Sequence, residues 1–139
     1  VRSVTGEPAG PAFGQEVEAA RAMLAAAGIE ARVRLGAAPG EPAAIVLREA
    51  VTNVVRHARA RVCEIETTTS AAGTVRLRVS NDGALPPVAG RPGTGLLNLA
   101  SRARQAGGHL STERDGERFT LTATLPARPA AGSFLQGKK

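Results

Sequence analysis

Three segments of the chain carry apolar residues at intervals of three and four, the spacing that places them on one face of an α-helix. The first runs from Gly14 to a stop at Gly28, the second covers residues 42–58, and the third covers residues 96–106 and ends at a pair of glycines. Glycine is common just beyond a helix end, and a proline at position 42 suits a first helical turn. The pattern therefore predicts three helices.

Other segments alternate apolar and polar residues, which is the pattern of a half-buried β-strand. In the clearest of them, Val75, Leu77 and Val79 point one way. The predicted strands cover residues 29–35, 61–67, 74–81, 109–114 and 117–126, and the last two are joined by the hairpin signal Asp115-Gly116. The order helix, strand, helix, strand, strand, helix, strand, strand predicts an α/β (α+β) two-layer sandwich, in which helices cover one face of a mixed sheet.

Composition divides the chain into a folded part and two ends. Residues 1–14 are rich in Gly and Pro and are predicted to be a flexible lead-in, residues 15–126 to be one domain, and residues 127–139 to be a disordered tail. A chain of 139 residues is long enough for one hydrophobic core. Because it does not begin with Met, we expect a module of a longer protein, with proteolytic processing as the alternative.

The formal charge of +6 comes almost entirely from arginine, since the only lysines are Lys138 and Lys139. A GC-rich genome produces the same bias, and a phosphate-bearing ligand is the second explanation. Nucleic acid comes third and is not expected as a partner. Single-strand binders use aromatic stacking, and this chain has three Phe and no Trp or Tyr.

Cys63 is the only cysteine, so no disulfide can form within the chain and a reducing compartment is expected. No apolar run approaches the roughly 18 residues of a membrane span, and the start of the chain lacks the pattern of a signal peptide. We therefore expect this module to be cytoplasmic, and whether its parent protein is anchored in a membrane stays open.

Three polar residues, Glu49, Asn53 and His57, recur four apart on the second predicted helix. At 100° per residue they advance by about 40° at each step and form a polar ridge beside the apolar arc. A solvated helix face is one explanation. The other is a metal–phosphate site, because an amide oxygen is a hard ligand suited to Mg²⁺, a carboxylate orients a metal-bound water, and an imidazole contacts phosphate oxygens.

The segment that follows the strand at 74–81 favours the metal–phosphate explanation. Ser-Asn-Asp-Gly at 80–83 ends this strand, and Pro-Gly-Thr-Gly at 92–95 leads into the third helix. A helix N-terminus approached through glycines presents free N–H groups to a phosphate, and the loop between the two motifs can fold over a nucleotide as a lid. The glycines by themselves are better explained by a change of chain direction than by a phosphate site.

Together, E-A-x-T-N-x-x-R-H-A, V-x-N-D-G and G-x-G-L-x-N-L-x-x-R-A-x-x-A-G-G resemble the ATP-binding domain of bacterial sensor histidine kinases. Within that family the motifs are most similar to the NarX/DesK-type branch with a short lid. The resemblance covers residues 15–126, and its specificity comes from three motifs in the right order and spacing. It implies the Bergerat ATP-binding fold, which the family shares with gyrase and MutL.

For the phosphate end of the site, the resemblance implies ATP and Mg²⁺ as cofactors. Asn53 would coordinate the Mg²⁺ that bridges the phosphates of ATP. Glu49 and His57 would be catalytic, the carboxylate polarising the attacking group or a metal-bound water and the imidazole lying near the phosphates. The start of the third helix would wrap the triphosphate through Gly93, Thr94, Gly95 and Leu96.

For the adenine end, the resemblance implies a binding set of Asn81, Asp82 and Gly83, with the glycine letting the backbone approach the base. The family usually has Asp at the first of these positions, where it accepts a hydrogen bond from the adenine amino group. Asn81 can still accept, without the charge-assisted strength of a carboxylate, so weaker adenine recognition is expected. Phe119 stands where the family often has Thr, and it either packs on the base or belongs to the core.

The resemblance also implies a reaction and its partners. The reaction is phosphoryl transfer from ATP to a histidine on dimerisation helices absent from this chain, followed by transfer to a response regulator. The isolated module is expected to be a monomer without autokinase activity, and its parent a homodimer. Two alternatives stay open, an anti-sigma-factor-type serine kinase and a non-enzymatic nucleotide-responsive module.

Overall fold

The computed structural model describes residues 11–36, 39, 42–69, 73–84 and 94–126, with the backbone alone for residues 11–12 and 94–97. Helices and strands follow one another in this part of the chain in the predicted order. Their bounds are α1 Pro11–Ala26, β1 Glu30–Leu35, α2 Pro42–His57, β2 Val62–Thr69, β3 Thr74–Asn81, α3 Thr94–Gln105, β4 His109–Asp115 and β5 Arg118–Pro126. Residues 1–10 of the predicted lead-in and the whole predicted tail lie outside the described residues.

The strands form one mixed sheet in the order β1-β2-β3-β5-β4. β1 and β2 are parallel and are joined through α2, whereas every other neighbouring pair is antiparallel. A parallel pair needs a crossover, and α2 provides it by lying on the face of the sheet. This arrangement is the predicted α+β two-layer sandwich.

Alternation along the strands separates a helix-covered face from an open one. On β3, Val75, Leu77 and Val79 are buried, whereas Arg76 and Arg78 between them are exposed. The helices add their own fully buried leucines to this core, including Leu24, Leu47 and Leu99. Each such side chain contributes about 1.5–3 kcal/mol through burial, so the helix-covered face accounts for most of the favourable packing.

The open face carries charged side chains that pair across strands. Glu64 of β2 lies 3.8 Å from Arg32 of β1 and 3.6 Å from Arg118 of β5. On β3, Arg78 lies 3.8 Å from Glu66. Exposed pairs of this kind contribute only about 0–1 kcal/mol each, so this face behaves as a solvated surface.

Helix α1 begins at Pro11, three residues before the predicted start at Gly14. Two physical reasons extend it. Proline is tolerated in a first helical turn because its missing N–H has no partner there. The same turn also places Phe13 in the core, where it is buried.

Two of the helices end at the predicted glycines. Gly28 has a φ of 78°, and Ile29 N–H donates to the carbonyl of Leu24 at 2.8 Å. After α3, Gly108 N–H donates to the carbonyl of Ala103 in the same way, at 2.8 Å. Both ends therefore have the hydrogen bond of a Schellman motif, which needs a left-handed residue just past the helix. None of the helices in the described residues is long and apolar enough to span a membrane.

Candidate functional site

The polar ridge lies on α2, at the edge of the surface that this helix packs on the sheet. Glu49 and Asn53 are half-buried, and His57 in the last turn is exposed. Their neighbours Ala50 and Val54 are buried in the core. The structure therefore places the predicted residues on one flank, with two of the three partly shielded from solvent.

The opposite flank of α2 is occupied by α1. Arg48 pairs there with Glu16 of α1, at 2.9 Å between Nη2 and Oε2. Because α2 contacts both α1 and α3, and because Arg48 and the ridge lie on different sides of the core-facing arc, the ridge faces the α3 side. The polar ridge thus lies on the flank of α2 that is opposite α1.

A row of three side chains crosses the sheet on its helix-covered face. Asn81 at the end of β3 is paired in register with Cys63 of β2 on one side and with Phe119 of β5 on the other. Cys63 is fully buried, and Phe119 is half-buried and packs against the core. Phe119 therefore has core contacts and also lies directly beside Asn81.

Asn81 is a buried polar residue with an incompletely bonded side chain. It is 3% exposed, and its amide Nδ2 donates to the backbone carbonyl of Asp82 at 2.7 Å. This bond fixes the amide so that Oδ1 points the other way, and no donor in the described part of the chain bonds that oxygen. Buried acceptors are nearly always satisfied in native proteins, so Asn81 Oδ1 has the properties of a ligand-binding acceptor.

The side chains of the row, Cys63, Asn81 and Phe119, are uncharged. Burial raises the pKa of the Cys63 thiol to about 12, with smaller contributions from the charges of Glu64 and Asp82. The thiol is therefore neutral at physiological pH, and it lies next to a neutral amide and a phenyl ring. An aromatic base with a polar edge suits such a surface better than a charged group does.

Asp82, the next predicted residue, is bonded to the backbone of the α2–β2 loop. Its Oδ1 accepts from Arg61 N–H at 2.8 Å and from Val62 N–H at 3.1 Å. These hydrogen bonds, that of Val62 first, hold the pKa of the carboxyl below its ordinary value of 3.8, and the charge of Arg118 adds a smaller effect. The carboxylate is therefore ionised and partly used for structure.

Gly83 approaches the same loop. Its φ is 64°, and a Cβ added there would overlap the backbone carbonyl oxygen of Arg59. The carbonyl of Gly83 in turn accepts from Arg59 N–H at 2.9 Å. The requirement for glycine is thus explained by this loop, and the predicted approach to an adenine stays a prediction.

The predicted phosphate-binding residues lie at the beginning of α3. Thr94, Gly95 and Leu96 form its first turn, which begins two residues earlier than the sequence pattern predicted. Gly93 lies outside the described residues. The first N–H groups of a helix have no partner within it, so this turn supplies donors and the positive end of the helix dipole.

The side chains that could hold a metal ion at this site are few. Among the described residues, no group of three or more His, Cys, Asp or Glu could hold a metal ion. Mg²⁺ keeps most of its waters and binds through one or two protein groups together with substrate phosphates. The amide of Asn53 and the carboxylate of Glu49 on one helix flank are a donor set of that kind.

Sequence reasoning did not identify the part played by the α2–β2 loop. Arg59, Arg61 and Val62 hold the turn after β3 through their backbone atoms, and Cys63 forms part of the row with Asn81. Every residue except proline carries the same backbone N–H group, so the sequence does not show which of these groups will donate to another segment. The available signal was Asp followed by Gly after a strand, which is typical of a side chain that bonds to backbone in a turn.

The sequence matches no protein-family model. The structure is similar to solved histidine kinases. AdeS of Acinetobacter baumannii has a TM-score of 0.69 at 16% identity, over 84% of this chain and 63% of that one. The blue-light activated histidine kinase of Erythrobacter litoralis has 0.66 at 20%, over 86% and 42%, and the mycobacterial sensor histidine kinase MprB has 0.65 at 16%, over 86% and 95%. The fold is thus shared, and this chain spans less than two thirds of the first two proteins.

Proposed function

We propose that this chain is the ATP-binding catalytic module of a two-component sensor histidine kinase of the NarX/DesK type. The observation that carries the proposal is the buried amide of Asn81, whose Oδ1 accepts from no donor among the described residues and lies within an uncharged row. An adenine ring is flat and apolar, and its amino group is a donor that this oxygen can accept. The likeness in fold to solved histidine kinases and the three sequence motifs support the same function.

At the phosphate end, the polar ridge provides the groups that a nucleotide–metal complex requires. In this proposal Asn53 holds Mg²⁺ through its amide oxygen, and Glu49 orients a metal-bound water or polarises the attacking group. His57, exposed at the end of α2, contacts phosphate oxygens. ATP would supply the transferable phosphoryl group, and Mg²⁺ held by these residues would neutralise charge on its phosphates.

The first turn of α3 holds the triphosphate in this proposal. Backbone N–H groups of Thr94, Gly95 and Leu96 are placed at a helix start, and Gly93 precedes them in the sequence. An anion at a helix N-terminus is stabilised by unpaired donors and by the dipole together. Asn81 then binds the adenine end of one nucleotide, and α3 and α2 bind its phosphates.

Transfer of the phosphoryl group needs an acceptor that the proposal places outside this chain. The acceptor is a histidine on dimerisation helices, and a response regulator receives the group afterwards. Catalysis of this kind depends mainly on positioning and on charge stabilisation rather than on covalent chemistry by the protein. The isolated module should therefore bind nucleotide as a monomer and acquire kinase activity only together with those helices.

Calorimetric titration with a non-hydrolysable ATP analogue, with and without Mg²⁺, tests the proposal. We expect Mg²⁺-dependent binding in the micromolar to sub-millimolar range. Asn53→Ala should weaken binding in Mg²⁺ by at least about tenfold, or about 1.4 kcal/mol, while unfolding stays cooperative. Thr52→Ala, a control one position away and about 100° around α2 from Asn53, should bind like the unsubstituted chain.

If Asn53→Ala leaves the affinity unchanged, Asn53 does not hold the Mg²⁺. If the unsubstituted chain does not bind the nucleotide, the proposed function is wrong. A kinase assay separates the enzymatic alternatives. Transfer to a histidine on added dimerisation helices supports the sensor kinase. Transfer to serine on a small partner protein would instead assign the chain to the anti-sigma-factor-type kinases.

A further inference from the structure

The turn after β3 is held against the end of α2, and we call residues 81–84 together with residues 58–62 the turn clamp. Arg59 N–H donates to the carbonyl of Gly83 at 2.9 Å. The Asp82 carboxylate adds a side-chain contact, because its Oδ1 accepts from two successive backbone N–H groups of the loop at 2.8 and 3.1 Å. The clamp thus joins the strand that carries Asn81 to the helix that carries the polar ridge.

The far end of the turn is fixed as well. Ala84 forms a β-bridge with Ala58, and its N–H donates to the carbonyl of Glu117 at 2.7 Å. These contacts are between backbone atoms and do not depend on side-chain identity. Asp82 is therefore the position at which a side-chain substitution can open the clamp without altering the backbone donors.

Asp82 is also connected to the candidate adenine acceptor. The amide Nδ2 of Asn81 donates to the backbone carbonyl of Asp82 at 2.7 Å, and this bond sets the direction of Asn81 Oδ1. Asn81 is only 3% exposed, so solvent gives its amide few replacements for a lost partner. A displacement of residue 82 would consequently change the orientation of the acceptor.

A direct contact between Asp82 and the nucleotide is the competing role, and the geometry disfavours it. Oδ1 already accepts two hydrogen bonds, and these keep the carboxylate ionised. The amide of Asn81 next to it is buried and has an acceptor oxygen that no described donor bonds. The carboxylate is thus suited to hold the turn, and Asn81 is suited to meet the ligand.

Building on the proposed function, we infer that Asp82 is a positioning residue for nucleotide binding. Its carboxylate anchors the turn to the α2–β2 loop, and its backbone carbonyl orients the Asn81 amide toward the 6-amino group of the base. It therefore acts through Asn81 and contributes to selectivity for a 6-aminopurine without contacting the ligand.

A double-substitution cycle on the full chain tests this inference, with binding measured by calorimetry for ATP and for the triphosphate of purine riboside, which lacks the 6-amino group. Asp82→Ala should weaken ATP binding by about tenfold, the size expected for coupled neighbours. The same substitution should change affinity for the purine riboside triphosphate by less than about twofold, because that ligand makes no bond to Asn81. In an Asn81→Ala background, Asp82→Ala should likewise have little effect on ATP.

Two controls separate positioning from a general loss of structure. Asp82→Asn keeps an oxygen that can accept from the loop N–H groups, so it should retain ATP affinity to within about threefold. Asp115→Ala removes the same side chain from the exposed β4–β5 turn and should leave both affinities unchanged. Hydrogen exchange at residues 61 and 62 should become faster in Asp82→Ala, because their N–H groups lose their acceptor.

The outcomes distinguish the inference from the proposed function. An equal loss of affinity for both nucleotides in Asp82→Ala, or an undiminished loss in the Asn81→Ala background, would overturn the positioning role while leaving nucleotide binding intact. Failure of the unsubstituted chain to bind either nucleotide would overturn the proposed function, and the inference with it. Loss of ATP affinity alone, restored by Asp82→Asn, supports the inference.

Discussion

Both aspartates of the chain are followed by glycine, and the two resulting turns differ sharply. Asp82-Gly83 follows β3, and Asp115-Gly116 joins β4 to β5. The glycines have almost the same backbone angle, with φ of 64° and 63°. The dipeptide and the φ angle of its glycine are thus shared, and the two turns differ in what surrounds them.

The surroundings have little in common. A Cβ at Gly83 would overlap the carbonyl oxygen of Arg59, whereas a Cβ at Gly116 would meet nothing within 4 Å. The Asp82 carboxylate bonds to two backbone N–H groups of another segment, and Asp115 lies exposed in its hairpin. The same dipeptide therefore closes a simple hairpin in one place and joins two distant parts of the chain in the other.

The two turns should differ most in how much a Gly→Ala substitution destabilises the protein. Gly83→Ala should destabilise the protein by about 3 kcal/mol, since a left-handed alanine costs about 1–2 kcal/mol and overlap with a backbone atom adds a similar amount. Gly116→Ala meets only the first penalty and should cost about 1 kcal/mol. Urea unfolding of the two variants measures both values, and equal losses would contradict the packing explanation.

A smaller difference in stability is expected when the carboxylate of Asp82 or of Asp115 is removed. Asp82→Ala leaves two backbone N–H groups without their acceptor and should lower the free energy of unfolding by about 2 kcal/mol. Asp115→Ala removes an exposed side chain and should change it by less than about 0.5 kcal/mol. Thermal unfolding of the matched pair tests this. Similar losses in the two variants would show that the loop contacts of Asp82 do not stabilise the fold.

The smallest effect concerns pH. The pKa of Asp82 is lowered by the Val62 and Arg61 N–H groups, so its stabilising contribution is present above its ordinary value of 3.8 and is lost as pH falls through the lower folded-state pKa. The stability advantage of the unsubstituted chain over Asp82→Asn should therefore shrink as pH is lowered from about 5 toward 3. Unfolding free energies at several pH values check this, and an advantage that grows on acidification would exclude the assigned sign.

Much of the fold was predictable because it depends on periodicity. The alternation at Val75, Leu77 and Val79 fixes which face of β3 is buried, and the glycines after α1 and α3 mark the helix ends. The start of α1 was predicted too late, because Phe13 was assigned to the lead-in although it packs in the core. Phe13 lies four residues before Val17 and continues the helical period, but the Gly and Pro residues around it indicate the end of the periodic segment.

The candidate site was predictable to a lesser degree. Spacing alone identified Glu49, Asn53 and His57 as one ridge, because helical geometry converts spacing into position. The row of Cys63, Asn81 and Phe119 depends on strand register between three strands, which no local pattern specifies. Sequence could therefore name Asn81 as a candidate but could not identify its neighbours.

Residue order by itself determined the succession of helices and strands, the buried face of each, and the ridge on α2, because these follow from the periods of local backbone structure. Tertiary structure decided that one Asp-Gly turn is packed and the other open, and that Asn81 is buried with an acceptor oxygen that no donor in the described part of the chain bonds. The reason is physical: backbone donors such as those of Arg61 and Val62 are the same in every residue, so their partners are set by which segments the folded chain brings together.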